Sequence, residues 1–195
     1  MELNSVCVFC GSSHGNRPEY ASAARHVGRL IAERGQTLVY GGGDVGLMGV
    51  VADSCLEAGG TVIGVIPRAL ADREVAHHGV TELRVVESMH ERKAMMADLS
   101  DAFVALPGGF GTFEEFCEIV TWAQLGIHEK PCGLLNIGGY YDPLLQLFDL
   151  GVSEEFIRPV HRSLVLSSET PEHLFELMAG FSARPVRKWI SPSES

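Results

Sequence analysis

Short unbroken apolar runs alternate along this chain with longer stretches in which apolar residues recur every three or four positions. The runs are Val6–Cys10, Thr37–Tyr40, Thr61–Ile66, Leu83–Val86, Ala102–Leu106, Gly133–Leu135 and Leu164–Leu166. A strand half exposed to water would alternate apolar and polar residues, so unbroken runs predict strands covered on both faces. The longer stretches, Pro18–Arg34, Gly46–Ala58, Met89–Leu99, Phe113–Leu125, Tyr141–Leu150 and Pro171–Ala179, predict helices. Gly35, Gly59 and Gly126 follow three of them, where a left-handed residue ends a helix at little cost. The alternation predicts an α/β protein with one Rossmann-like domain: a doubly wound, mostly parallel sheet with helices on both faces. No repeat, linker or shift in composition divides the chain. We read residues 1–181 as one nucleotide-binding catalytic domain and 182–195 as a polar, loosely ordered tail.

Charge narrows the partners. A net charge of −10 in 195 residues argues against long nucleic acids, whose phosphates need clustered Lys and Arg. A small anion remains compatible, because backbone amides at a helix N-terminus bind phosphate without net positive charge. No apolar run approaches the ~18 residues of a membrane span. The N-terminus lacks the basic region and cleavage site of a secretory leader, so a cytoplasmic location is expected. Cys7, Cys10, Cys55, Cys117 and Cys132 lie mostly in apolar segments and read as core residues. Cys7 and Cys10 form a C-x-x-C on a predicted strand, with no second pair to complete a zinc site.

Three predicted strands run straight into small-residue loops: Gly11-Ser12-Ser13, Gly41-Gly42-Gly43-Asp44-Val45-Gly46, and Pro107-Gly108-Gly109-Phe110-Gly111-Thr112. Ligands of doubly wound sheets bind at the carboxyl ends of strands, and glycine there lets backbone approach them closely. One such loop would need no more explanation than a tight turn; three at one edge point to a ligand. Gly41, Gly43 and Gly46 also satisfy G-x-G-x-x-G, but the next strand ends in Pro67-Arg68 instead of a ribose-binding acid. Arg68 leaves a 2′-phosphate as a minor alternative. The P-loop pattern is absent.

Two charge patterns sit awkwardly. Ser88-Met89-His90-Glu91 reads as a capping box opening a helix. Arg92 and Lys93 then fall near the end where the macrodipole disfavours cations, with no acid three or four residues away. Solvated surface charges and functional groups are both open readings. Thr112-Phe113-Glu114-Glu115 reads as a second box with Glu115 at N3, leaving capping and catalysis evenly matched for Glu115. Glu114 and Glu118, four apart, should repel slightly. His77 and His78 sit in a polar loop, are expected to be exposed, and show no metal-ligand spacing.

The run Pro107-Gly108-Gly109-Phe110-Gly111-Thr112-Phe113-Glu114-Glu115 resembles the P-G-G-x-G-T-x-x-E motif of the LOG (Lonely guy) family. These are cytokinin riboside 5′-monophosphate phosphoribohydrolases, once assigned as lysine decarboxylases. The likeness extends from Val6 to Phe181 through Cys10-Gly11-Ser12-Ser13, Gly41-Gly42-Gly43, Met89-His90-Glu91-Arg92-Lys93 and Thr121-Trp122-Ala123-Gln124-Leu125-Gly126.

The resemblance implies a homodimer that splits a nucleoside 5′-monophosphate, a cytokinin nucleotide or AMP, into free base and ribose 5-phosphate. It implies catalytic roles for Arg92 and Glu115, and substrate contacts from Glu74, Lys93, Gly109, Phe110, Gly111, Thr112 and Thr121. The strand-end loops and helix starts add Gly11, Ser12, Gly42, Gly43, Met89, Gly108, Phe113 and Glu114 to the candidate binding set. The apolar helix Phe113–Leu125 is expected at or beside the dimer interface. No metal, nicotinamide or other cofactor is expected, and no nucleic-acid or membrane partner. A non-catalytic carrier of a nucleotide or of molybdenum cofactor on the same scaffold is the alternative; it needs the loops but not the acid. Lysine decarboxylation needs a Schiff-base lysine for pyridoxal phosphate, and none of Lys93, Lys130 and Lys188 sits in such a motif.

Overall fold

A computed structural model describes residues 3–71 and 76–182. Seven strands form one sheet: β1 (Ser5–Phe9), β2 (Thr37–Tyr40), β3 (Thr61–Pro67), β4 (Glu82–Val86), β5 (Ala102–Ala105), β6 (Cys132–Leu135) and β7 (Val165–Ser168). Their order is β4-β3-β2-β1-β5-β6-β7, and every pairing is parallel. The strand order reverses at β1, so the crevice at the carboxyl ends of β1 and β5 is the topological switch point. The expected α/β architecture is the one observed.

The helices are α1 (Pro18–Glu33), α2 (Gly46–Glu57), α3 (Arg68–Ala71), α4 (Met89–Asp98), α5 (Phe110–Gln124), α6 (Asp142–Ser153), α7 (Pro159–Arg162) and α8 (Pro171–Ala179), with a 3₁₀ turn at Ile137–Gly139. The short pieces α3, α7 and the 3₁₀ turn carry too few residues for a periodicity to register, so the apolar pattern predicts none of them. Strand β7 lies one to two residues later than expected. Gly35, Gly59 and Gly126 end α1, α2 and α5 with φ of 67°, 79° and 74°.

Successive residues of β1 explain the unbroken apolar runs. Val6 and Val8 face a core shared with Val27, Ile31 and Val51 of α1 and α2. Cys7 and Phe9 face a second core, with Phe103, Met96, Phe116 and Tyr141. Both faces are covered, and each fully buried side chain of this size contributes about 1.5–3 kcal/mol over its exposed state. Cys7 and Cys10 belong to opposite cores, so the C-x-x-C does not present two thiols to one ion. All five cysteines are free, and burial pushes the Cys55 thiol up to about 11. Among the described residues no helix is long and apolar enough to cross a membrane. The tail expected from 182 onward lies, beyond Ser182 itself, outside the described residues.

Candidate functional site

The site forms where β5 turns into α5. Gly109, in extended conformation with φ −100° and ψ −154°, is the N-cap of α5, and no side chain caps the helix. This overturns the expected start at Phe113: the Phe113 amide already donates to the Gly109 carbonyl at 3.1 Å, so Phe110 is the first helical residue. Thr112 is buried inside the first turn, and Glu115 lies beyond the capping position. The cause is tertiary. The hydroxyl of Tyr140 donates to the Gly108 carbonyl and that of Tyr141 to the Leu106 carbonyl, which pins the turn from the far side of β6. Nothing in the local sequence marks either tyrosine beyond its place shortly after a strand end.

The uncapped start matters electrostatically. The first amides of a helix have no intrahelical acceptors, and the first turn of α5 carries no acid to take them. A methyl built on Gly109 or Gly111 would meet nothing within 4 Å, so both border open space. One on Gly108 would strike Thr112 and come within 2.9 Å of the Gly11 nitrogen. Gly108 therefore allows two loops to touch, whereas Gly109 and Gly111 leave room for a ligand. Phe110 stands almost entirely exposed at this mouth and Phe113 is half-buried.

The other two loops lock onto this one. The Gly11 amide donates to the Pro107 carbonyl at 3.1 Å, and the Leu47 amide donates to the Gly11 carbonyl at 3.0 Å. Ser12 is exposed beside them. A methyl on Gly41 would overlap the Arg92 guanidinium, so the lack of a side chain at this first glycine makes room for Arg92. Gly42, with φ 75°, backs onto Ile66 and Leu83, and Gly43 pairs with Ala76. Both are buried at the site's edge. Arg68 meets Glu87 at 2.9 Å.

Helix α4 supplies the cations. Ser88 caps it as expected, accepting the Glu91 amide at 3.1 Å; the Glu91 carboxylate takes the amide of Glu87 rather than that of Ser88. Arg92 is buried, with Nε donating to the Val65 carbonyl at 3.1 Å and Nη2 to the Gly41 carbonyl at 3.0 Å. Its Nη1 reaches the Met89 sulfur at 3.4 Å and stands 4.0 Å from Glu115 Oε1. Met89 itself is half-exposed at the rim. Burial holds the Glu115 carboxyl above the usual carboxylate range; Arg92 opposes the shift and Glu114 adds to it.

Lys93 is not the unpartnered charge the local pattern suggests. Its Nζ lies 2.7 Å from Glu114 Oε1 and 3.0 Å from Glu118 Oε1, so the pair expected to repel shares a cation from the neighbouring helix. Partners on another helix are invisible to a three-or-four-residue rule. Thr121 is exposed and donates to the Cys117 carbonyl at 2.7 Å. Ten residues beyond Gly111, it lies about 15 Å further along the helix and is not brought to the mouth. Glu74 lies outside the described residues.

His77 corrects another expectation: it is 7% exposed, with Nε2 2.9 Å from Asp53 and 3.8 Å from Asp44, while His78 is exposed as expected. These three groups stand close enough to hold an ion. However, Nδ1 accepts the Gly79 amide at 3.1 Å, which places the ring proton of the neutral imidazole on Nε2, facing the carboxylates. That tautomer suits a hydrogen bond to Asp53, and it ties the segment beside the residue-76 bridge to α2.

A family model described as "Possible lysine decarboxylase" matches residues 48–178. A probable cytokinin riboside 5′-monophosphate phosphoribohydrolase, LOGL1 of Oryza sativa subsp. japonica, is 52% identical over 177 residues, covering 91% of this chain and 79% of its own length. Cytokinin riboside 5′-monophosphate phosphoribohydrolase LOG1 of Arabidopsis thaliana is 48% identical over 188 residues, covering 94% of this chain and 88% of its own. Among solved structures, the molybdenum cofactor binding protein of Rippkaea orientalis superposes with a TM-score of 0.69 at 23% identity, covering 92% of this chain and 97% of its own. The molybdenum cofactor carrier protein of Chlamydomonas reinhardtii gives 0.67 at 23% identity, covering 91% and 99%. At that identity the likeness concerns the fold alone.

Proposed function

Because the chain belongs to the LOG family of cytokinin riboside 5′-monophosphate phosphoribohydrolases, we propose that it hydrolyses the N-glycosidic bond of adenine-type nucleoside 5′-monophosphates. Water and the nucleotide give free base and ribose 5-phosphate; AMP and an N6-modified cytokinin nucleotide are the candidate substrates. The observation that carries this reading is the pair of buried Arg92 and largely buried Glu115 set beside the uncapped start of α5, with open space at Gly109 and Gly111.

In this reading the 5′-phosphate sits on the amides of Phe110 to Thr112, where the macrodipole favours an anion. Glu115 follows Thr112 by three residues, ~4.5 Å along the helix axis, a span comparable with a ribose ring. Its carboxylate stabilises the developing oxocarbenium charge and takes a proton from the attacking water, as carboxylates do in glycoside hydrolysis. Arg92, held by two carbonyls, supplies a fixed positive charge to ribose or phosphate oxygens. Among the described lysines pyridoxal chemistry fits poorly: Lys93 is bound by two carboxylates and Lys130 Nζ donates to the Ala97 carbonyl at 2.8 Å, while Lys188 lies outside the described residues.

The enzyme acts in the cytoplasm as a homodimer. Exposed Leu125 and Ile127 at the end of α5 support an interface there, as does Phe110 at its start. Purified protein incubated with AMP, a cytokinin riboside 5′-monophosphate, other nucleoside monophosphates and adenosine tests the proposal by chromatography of released base. Release from adenine-type monophosphates and little from adenosine is expected; a panel with no base released leaves the carrier reading standing. A monomeric mass in light scattering at micromolar concentration would refute the dimer.

A further inference from the structure

The charges around Glu115 do not balance. Arg92 and Lys93 face it from α4, Glu114 and Glu118 flank it on α5, and its charge is felt by the thiols of Cys7 in β1 and Cys10 just after it. Burial keeps both thiols protonated. Two cations therefore meet three carboxylates. Lys93 is spent on the outer two, with its Nζ at hydrogen-bond distance from Glu114 and Glu118 and its side chain only 12% exposed.

Glu118 differs from Glu114 in its surroundings. Its side chain is 28% exposed against 56% for Glu114. It also lines one small cavity with Glu115 and Lys93, walled by the rings of Phe9, Phe103 and Trp122. Apolar walls lower the local dielectric, so charges bordering that cavity act on each other with little screening. A single turn of α5 separates the two carboxylates.

We propose that Glu118 is a positioning residue for the Glu115 carboxylate: by holding Lys93 against itself and Glu114, it keeps that cation from quenching the base. The inference rests on the reading of Glu115 as the base. A carboxylate matched by two cations would be a weak proton acceptor. An excess of one negative charge keeps Glu115 basic enough to take a proton from water near neutral pH. No change of bonding at Glu118 is involved, and it need not touch substrate.

The test is the pH dependence of kcat/KM for AMP in E118Q, K93M and E115Q. Glutamine at 118 still offers Lys93 an acceptor, so the contact between α4 and α5 survives and only the charge is lost. The acid limb should move to lower pH by at least about half a unit, since a like charge beside the base has been removed. K93M removes the opposing charge and should move the limb the other way. A ¹³C titration of the Glu115 carboxyl in ligand-free E118Q should report the same downward shift without relying on turnover. An unmoved limb in E118Q, with E115Q inactive, overturns the proposal while leaving the base reading intact. Loss of melting temperature in both variants without opposite pH displacements would reduce the clamp to a strut and overturns it equally. Near-normal turnover in E115Q refutes the base reading itself, and this inference with it.

Discussion

Arg92 Nη1 and Glu115 Oε1 stand 4.0 Å apart, with both side chains largely buried. That separation couples the charges but exceeds a hydrogen bond. The guanidinium is fastened instead to the carbonyls of Val65 and Gly41, which leaves the Glu115 carboxylate without a tight partner among the described residues. A carboxylate so placed is costly to ionise and ready to act.

Glu115→Gln separates these two properties. Glu115 lies outside the capping position, so the change leaves the helix start untouched. A carboxyl with a raised folded-state pKa makes its full contribution to stability below its unfolded value and loses it as pH rises through the folded value. At neutral pH the ionised group is therefore a penalty that a neutral amide removes. Melting temperature should stay level or rise, by about 2–4 °C if the relief is worth ~1 kcal/mol. Turnover on AMP should fall by ~10² or more. Calorimetry and steady-state assay of the same preparation check both.

The same carboxyl sets an expected pH profile. Burial raises its pKa more than Arg92 lowers it. Activity that needs the ionised base should fall with acidification, with its midpoint above the ordinary glutamate value of about 4.3. A kcat/KM profile for AMP whose acid limb lies at or below that value contradicts this account.

Arg92→Lys keeps one charge but not the geometry. A single ammonium cannot reproduce the planar fork that serves the Val65 and Gly41 carbonyls together. An unsatisfied buried acceptor costs about 1–3 kcal/mol, so melting temperature and kcat/KM should both drop. Retention of both would show that charge alone suffices.

The glycines of the α5 turn should divide into two classes. Gly111→Ala places a methyl in open space, and in a helix alanine is favoured by up to about 1 kcal/mol. Stability should hold or rise while KM for AMP rises, by about tenfold if one phosphate contact worth ~1.4 kcal/mol is lost. Gly108→Ala would press on Thr112 and Gly11, and should destabilise the fold. Thermal scans beside KM values separate a ligand glycine from a packing glycine.

Chelation should leave turnover unchanged. The cluster of Asp44, Asp53 and His77 presents an N–H rather than a lone pair to its carboxylates, because Nδ1 is committed to the Gly79 amide. Activity lost on dialysis against EDTA and restored by a divalent ion would overturn this reading.

By itself the sequence determined the architecture. Unbroken runs such as Val6–Cys10 can be buried on both faces only in a sheet wrapped by helices, and β1 places its alternate residues in two cores. It also determined that glycine loops gather at one edge, because parallel strands all end on the same side. What it could not reach were relationships between segments far apart in the chain. Helix α5 starts three residues before the local pattern predicts, because the turn before it is pinned by Tyr140 and Tyr141, from beyond β6. Lys93 looked unpartnered because its acids lie on another helix, and His77 looked exposed because Asp53 reaches it from α2. The Ser88 cap, the strand runs and the glycine ends follow from neighbours a few residues apart, and these were legible. The burial of Glu115, the anchoring of Arg92 and the sharing of Lys93 depend on which elements pack together, and only the tertiary structure decides that.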